Sequence, residues 1–390
     1  MILAHRIALD PTFAQRAYFA RAAGTARFTW NWALAEWDRR YAAGEKPNGQ
    51  TLKVVFNAIK YDAYPWLKDI HRDAHAQPFA NLHKAFSAFF KGTAQRPTFK
   101  KKGKCRDSFY VANDKLHLDG YRLRLPVLGW VRLREQLRFA GKIVGAVVRR
   151  EAQRWFVSIQ VDMGDYQRPR TGDGELGLDV GLAAFATLST SEKIAAPKPL
   201  RRALGQLRRS CRKVSRRQCG SARRDRVKRV LARVHAKLTN IRRDFLHQLS
   251  TRLCRENQAL GVESLAVTNL LRNTKLALSI ADASWGEFLR QLHYKGPIFD
   301  CEVIEAERFY PSSKRCHRCG CVKERLALSE RVFVCETCGL VCDRDINAAW
   351  NLVPQALREV TAVDSTVRPG QPTGSEDEAA TIPCALARTK

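Results

Sequence analysis

Two Cys-x-x-Cys pairs constrain this chain more than any other feature: Cys316 and Cys319, then Cys335 and Cys338, with fifteen residues between the pairs. Four thiolates at that spacing read as a four-cysteine zinc ribbon. Protein then fills every position of a tetrahedral ion, so the metal supports folding and leaves no place for a reacting water. Two matched pairs favour metal over a dithiol redox centre. Cys321 and Cys342 lie nearby but in no such pair, and His317, adjacent to a ligand, is badly placed to join a tetrahedral site. Seven residues past Cys338 stands Asp345, in the helix-starting run Asp343-Arg344-Asp345-Ile346-Asn347-Ala348-Ala349. A structural metal that close to a candidate catalytic carboxylate places the ribbon inside an active domain.

The chain has 390 residues and is 45% hydrophobic, enough for two or three domains with buried cores. Its net charge of +30 and isoelectric point near 10.1 ask for a polyanionic partner. Anionic membrane is the rival partner, but no apolar run approaches the roughly 18 residues of a span. The opening residues Met1 to Arg6 lack the apolar core of a secretion signal. The expectation is a cytoplasmic protein whose partner is nucleic acid, with no membrane. The other cysteines (Cys105, Cys211, Cys219, Cys254, Cys301, Cys384 and the two beside the ribbon) are then reduced thiols.

Residues 1–9 read as a strand, and Asp10 and Pro11 as the cap and first turn of a helix. Helical periodicity continues to about Lys91, rich in aromatics such as Trp30, Trp37, Phe56, Phe79 and Phe86. Their bland reading, bundle core, outweighs base stacking. Leu82, Ala85, Phe86, Phe89 and Phe90 give one apolar face. The basic loop Arg96 to Lys104 suits phosphate contact. From 106 to 163 the period changes to short strands between turns, which suggests a small β-barrel. After a Pro- and Gly-containing linker, residues 175–189 read as a hairpin, and about Leu200 to Asn257 as a helical hairpin crowded with arginine. Such helices repel themselves unless a polyanion lies against them. Strands at 258–265 and 299–309 flank a helix around Trp285 to Tyr294, and Asn347 to Leu357 is the last helix. From Asp364 the composition turns to that of a disordered tail.

Three acids stand out by context. Asp179 ends an apolar strand in Gly177-Leu178-Asp179-Val180-Gly181, Glu263 closes Leu260-Gly261-Val262-Glu263, and Asp345 begins the final helix. Each alone reads more plainly as a turn or cap residue. Strand, strand and helix start in that order match the three-acid arrangement of a ribonuclease-H-like fold. Cutting a phosphodiester by in-line water attack requires charge stabilisation on both attacking and leaving oxygens, which two Mg²⁺ ions provide. Three carboxylates on rigid elements suit that hard ion. Of the last pair, Asp345 is preferred as ligand and Asp343 as cap.

Together with Val262-Glu263-Ser264-Leu265, Tyr310-Pro311-Ser312-Ser313-Lys314-Arg315 before the first cysteine pair, and Gly320 and Gly339 after the two pairs, these motifs resemble TnpB, a family of transposon-encoded RNA-guided DNA endonucleases similar to compact type V CRISPR effectors. Arg96-Pro97-Thr98-Phe99-Lys100 and Leu125-Pro126-x-Leu128-Gly129 also look like the family's N-terminal half. Ser264 departs from the pattern, where an acid often follows the glutamate. The resemblance implies an α/β plus β-barrel chain: a wedge-like barrel at 1–10 and 106–165, a helical recognition lobe at 11–105 and a linker at 166–174. A RuvC-like (ribonuclease-H-like) nuclease domain at 175–309 and 343–363 would then hold the zinc ribbon at 310–342, ahead of the tail at 364–390. It carries Asp179, Glu263 and Asp345 over as catalytic, magnesium-binding acids and Cys316, Cys319, Cys335 and Cys338 as zinc ligands. The implied partners are a guide RNA and double-stranded target DNA, bound by a monomer at the nucleoid of a prokaryote. The rival functions are a non-cleaving nucleic-acid-binding regulator, which the retained acids disfavour, and a strand-transferring transposase, which would also use an acidic triad.

Overall fold

The computed structural model describes residues 1–327 and 329–365. The tail expected from 364 falls outside them apart from its first two residues. The chain forms two compact units, Met1–Asp165 and a second that begins at Tyr166.

In the first unit, β1 (Ile2–Asp10) leads into α1 (Phe13–Ala42), α2 (Gly49–Ala63) and α3 (Arg72–Phe90). Then come β2 (Ser108–Ala112), β3 (His117–Asp119), β4 (Arg122–Leu125), β5 (Gly129–Leu133), β6 (Lys142–Glu151) and β7 (Arg154–Asp162). The sheet order is β2-β6-β7-β1-β5-β4-β3, antiparallel throughout. This corrects the barrel: β2 and β3 are edges that do not pair, so the sheet stays open. β1 is its hinge, pairing with β7 from Ile2 to Ala8 and with β5 only through Leu9 and Asp10. Along β7, Trp155, Val157, Ile159 and Val161 are buried at alternate positions, the period-two pattern of a sheet with one dry face.

The helix after β1 starts later than the sequence suggests. Asp10 ends the strand, and Thr12 caps α1 through a box in which Thr12 Oγ1 accepts the Gln15 N–H and Gln15 Oε1 accepts the Thr12 N–H. α1 serves two cores. Tyr18, Phe19, Ala22 and Ala23 pack on the sheet. Trp30, Leu34 and Trp37 pack with Leu52, Phe56, Phe79, Leu82 and Phe86 of α2 and α3, with Trp37 stacked on Phe86 at 4.0 Å. Phe90, expected on that face, is exposed.

In the second unit, β8 (Gly174–Val180), β9 (Ala186–Leu188) and β10 (Lys193–Ile194) precede α4 (Pro199–Ser215) and α5 (Ala222–Glu256). They are followed by β11 (Asn257–Val262), α6 (Val267–Leu270), α7 (Ala277–Ala283), α8 (Trp285–Phe299) and β12 (Glu302–Glu305). β13 (Val332–Val334), β14 (Val341–Asp343), α9 (Arg344–Asn351) and α10 (Pro354–Ser365) complete it. The main sheet runs β10-β9-β8-β11-β12, with β8, β11 and β12 parallel and β9 antiparallel to β8. β11 and β12 are shorter than the sequence reading, and the single last helix is two, broken ahead of Pro354, whose ring cannot continue α9. The arginine hairpin is α4 and α5. Of the apolar residues from Leu204 to Ile241 along it, Leu207 and Leu238 are buried, while Val230 and Ile241 are exposed. Its root is fixed by Asp282 of α7, whose carboxylate accepts the N–H groups of Leu200 and Arg201 at the start of α4.

Candidate functional site

The three acids of the sequence reading are brought to one face of the second unit, and two glycines explain how. Gly177 of β8 and Gly261 of β11 are direct partners in the parallel ladder. A Cβ on Gly177 would collide with the Ala349 carbonyl, and one on Gly261 with the Leu352 carbonyl. The last turn of α9 therefore lies on bare backbone. Side chains two residues apart share a face of a strand, so Asp179 and Glu263 emerge on the face that α9 covers. Two strand residues span about 6.6 Å, and the four helical residues from Ala349 back to Asp345 span about 6 Å. The helix start thus comes level with the strand ends. Glu175 marks the same face at the other end of β8, where its carboxylate accepts the Gln355 N–H of α10.

The electrostatics follow from the juxtaposition. Burial pushes the Asp179 carboxyl well above the usual carboxylate range, and the negative charges of Glu263 and Asp345 push the same way, against Arg344. Burial also raises Glu263, against a hydrogen bond from Ser312. Asp343 is the N-cap of α9: its Oδ1 accepts the N–H groups of Asp345 and Ile346 at 3.0 and 3.2 Å, and its Oδ2 takes Lys193 Nζ at 2.6 Å. Burial works to raise Asp343, and these partners outweigh it and hold it low. Three carboxylates whose negative charge Arg344, 3.7 Å from Asp345, only partly offsets are a donor set that fits a hard divalent cation such as Mg²⁺.

Among the described residues, the four cysteines are the cluster whose ligand atoms all lie within 4.8 Å of one another; the acids are not drawn that tightly. Cys316 and Cys338 sulfurs are 3.6 Å apart and those of Cys319 and Cys335 are 3.5 Å apart. Tetrahedral zinc–thiolate bonds would set sulfurs about 3.8 Å apart, so the cluster fits zinc. Each knuckle turns at a glycine with positive φ, Gly320 at 76° and Gly339 at 70°. Cys321 and Cys342 stay outside the cluster. His317 faces away from it, its Nδ1 3.0 Å from Asn347 Oδ1 and its ring stacked on Trp350.

Two residues that sequence reasoning missed join ribbon to acids. Asn347 and Asn351, one turn apart on α9 and buried, both donate to the Arg315 carbonyl at 2.7 and 2.6 Å. Asn347 Oδ1 also accepts the His317 N–H at 3.1 Å. Their spacing of four, on the helix that carries Asp345, was the available signal. In the first unit the basic loop is less free than its charge implied: Lys100 lies 3.6 Å over the Trp30 ring and Arg96 pairs with Asp38, which leaves Lys101, Lys102 and Lys104 exposed. No described helix is long and apolar enough to cross a membrane.

The chain is similar to known proteins along most of its length. Residues 158–274 match the family OrfB_IS605, described as "Probable transposase", and residues 285–352 match the "Cas12f1-like, TNB domain". Residues 1–46 match a helix-turn-helix family, although here they form β1 and one long helix. A Streptomyces pristinaespiralis protein named "Putative RNA-guided DNA endonuclease" is 36% identical over 92% of this chain and 90% of its own length. The Escherichia coli protein InsQ, of the same description, is 31% identical over 96% of both chains. A Mycobacterium tuberculosis relative with that description is 28% identical over 97% of this chain and 94% of its own. With more than 30% identity across nearly the full length of both chains, and with the acids and the four cysteines in one unit, the chain belongs to the TnpB family of transposon-encoded proteins.

Proposed function

We propose that this chain is a magnesium-dependent, RNA-guided endonuclease that cuts double-stranded DNA, and that Asp179, Glu263 and Asp345 are its catalytic acids in a ribonuclease-H-like, RuvC-type domain. The convergence of the three carboxylates through the Gly177–Gly261 register carries this reading. Mg²⁺ ions held by the three acids would stabilise charge on the attacking and leaving oxygens of the phosphodiester. The chain's own part is to hold three carboxylates on two strand ends and a capped helix start, so that little reorganisation is left for the reaction. Asp343, engaged by Lys193 and by two backbone N–H groups, fixes the helix and stays out of the ligand set. The ribbon, with zinc on Cys316, Cys319, Cys335 and Cys338, braces that helix through Asn347 and Asn351.

The charge of +30 supports nucleic acid as the partner. A guide RNA would supply sequence specificity by base pairing, and basic surfaces would hold the heteroduplex by shape and charge. On this reading the open sheet of the first unit is the wedge and α1 to α3 form the recognition lobe. The test is purification with RNA transcribed from the end of the element, followed by incubation with matched duplex DNA. Cleavage is expected with Mg²⁺ and none with a chelator. Intact RNA, a matched target and no cut strand would leave the non-cleaving regulator as the better reading. Joined target strands would instead indicate the transposase.

A further inference from the structure

We propose that Ser312 is a positioning residue for Glu263, an inference that rests on the reading of Glu263 as a magnesium ligand. Ser312 lies in the short segment between β12 and the first cysteine pair and is 4% exposed. Its hydroxyl donates to Glu263 Oε1 at 2.6 Å. Its carbonyl accepts Asn351 Nδ2 at 2.8 Å, from the helix that carries Asp345. The segment is held in turn: the Ser312 N–H donates to the Tyr310 carbonyl, and the Lys314 and Arg315 N–H groups donate to the Pro311 carbonyl. One residue therefore touches both a candidate ligand and the element that bears another.

Glu263 needs such a partner. It stands one residue beyond β11, and its three side-chain torsions leave the carboxylate free to swing unless something holds it. A hydroxyl is the suitable holder. A lysine or arginine would neutralise the carboxylate and compete with the cation, whereas a neutral donor fixes one oxygen and leaves the full charge and the second oxygen for the ion. Partners of this kind, one shell out from the metal, are worth about 10- to 100-fold in metal affinity.

The test uses the full-length protein without RNA. Terbium luminescence reports occupancy of the acid site: a Tb³⁺ titration gives its Tb³⁺ dissociation constant, and displacement by Mg²⁺, corrected with that constant, gives the Mg²⁺ dissociation constant of wild type, Ser312→Ala, Ser312→Thr and Ser312→Val. Thr and Val have the same shape and differ only in the hydroxyl, so their comparison stands even if the Ala variant does not fold. The Ala and Val variants should bind Mg²⁺ with a dissociation constant about ten-fold higher, and Thr should stay within about two-fold of wild type, all with unchanged zinc content. In the RNA-loaded protein the Mg²⁺ required for half-maximal cleavage should rise by a similar factor, while the rate at saturating Mg²⁺ falls less. Wild-type displacement in folded Val, or a Thr variant as weak as Val, would overturn the assignment. Displacement needs neither guide nor target. Normal displacement behaviour in a protein that never cuts would count against the endonuclease reading and not against Ser312.

Discussion

At the scale of single residues, Asp179 sits where burial and three neighbouring acids, Glu263, Asp345 and Asp343, all act on one carboxylate. Asp179→Asn removes a charge without changing shape. It should lower cleavage by about three orders of magnitude and leave guide binding within about two-fold, as read by a cleavage time course beside a gel-shift titration; cleavage near the wild-type rate would remove Asp179 from the catalytic set. His75 provides a test within the first unit. It is 1% exposed, its Nε2 has no hydrogen-bond partner, and burial, helped by Lys60, lowers it to about 4. The unfolded chain takes up that proton more readily than the folded one. The contribution to stability is therefore complete above pH 6.5 and is lost as the pH falls toward 4, about 3 kcal/mol in all. Hydrogen exchange of α3, corrected for intrinsic rates, should show protection falling more steeply with acid in wild type than in His75→Phe. Parallel slopes would mean that His75 is not the sensing group.

At the scale of elements, the decisive contact is a helix resting on two glycines. Gly261→Ala drives a methyl group into the Leu352 carbonyl, which is backbone and cannot rotate away. Overpacking of this kind costs about 3 kcal/mol, and the cost falls on the contact that sets α9 against β11. The variant should melt at a lower temperature and lose cleavage while retaining zinc, measured by calorimetry and metal analysis. A variant with wild-type melting and activity would mean that α9 need not lie so close. The ribbon enters the same argument from the other side. Two of its ties to α9 run through the Arg315 carbonyl, one residue before the first cysteine, and a third joins the His317 N–H to Asn347 Oδ1, so a zinc ion with no role in chemistry would still bear on where Asp345 stands.

At the scale of the whole molecule, charge dominates. Arg208, Arg209, Arg216 and Arg217 of the α4–α5 hairpin are exposed, with few acids nearby. A chain of +30 should bind RNA with affinity that falls by about 10³-fold or more between 50 and 200 mM salt. Changing those four arginines to glutamine should reduce the slope of log affinity against log salt by about three, measured by polarisation of labelled guide RNA. An unchanged slope would mean that the hairpin does not touch phosphate and that its charge serves some other purpose.

Much of this protein was legible from local pattern. The cysteine pairs, the strands of the first unit and the helical hairpin are each specified within a few residues, because metal-ligand spacing, side-chain periodicity and turn chemistry are short-range rules; the three acids, each alone a plain turn or cap residue, stood out only in combination. The cap of α1 was misplaced by two residues because a Thr12–Gln15 box competes locally with Asp10 and Pro11. Barrel closure was not legible, since it depends on whether two edge strands distant in sequence meet. The two asparagines, the Ser312 link and the glycine register lay beyond the sequence for the same reason. By itself the sequence determined which groups are present and which element each belongs to. Only the tertiary structure decided that Asp179, Glu263 and Asp345 share one face, because that depends on β8 and β11 pairing in a register that sets Gly177 against Gly261 and lets the backbone of α9 come down between the side chains.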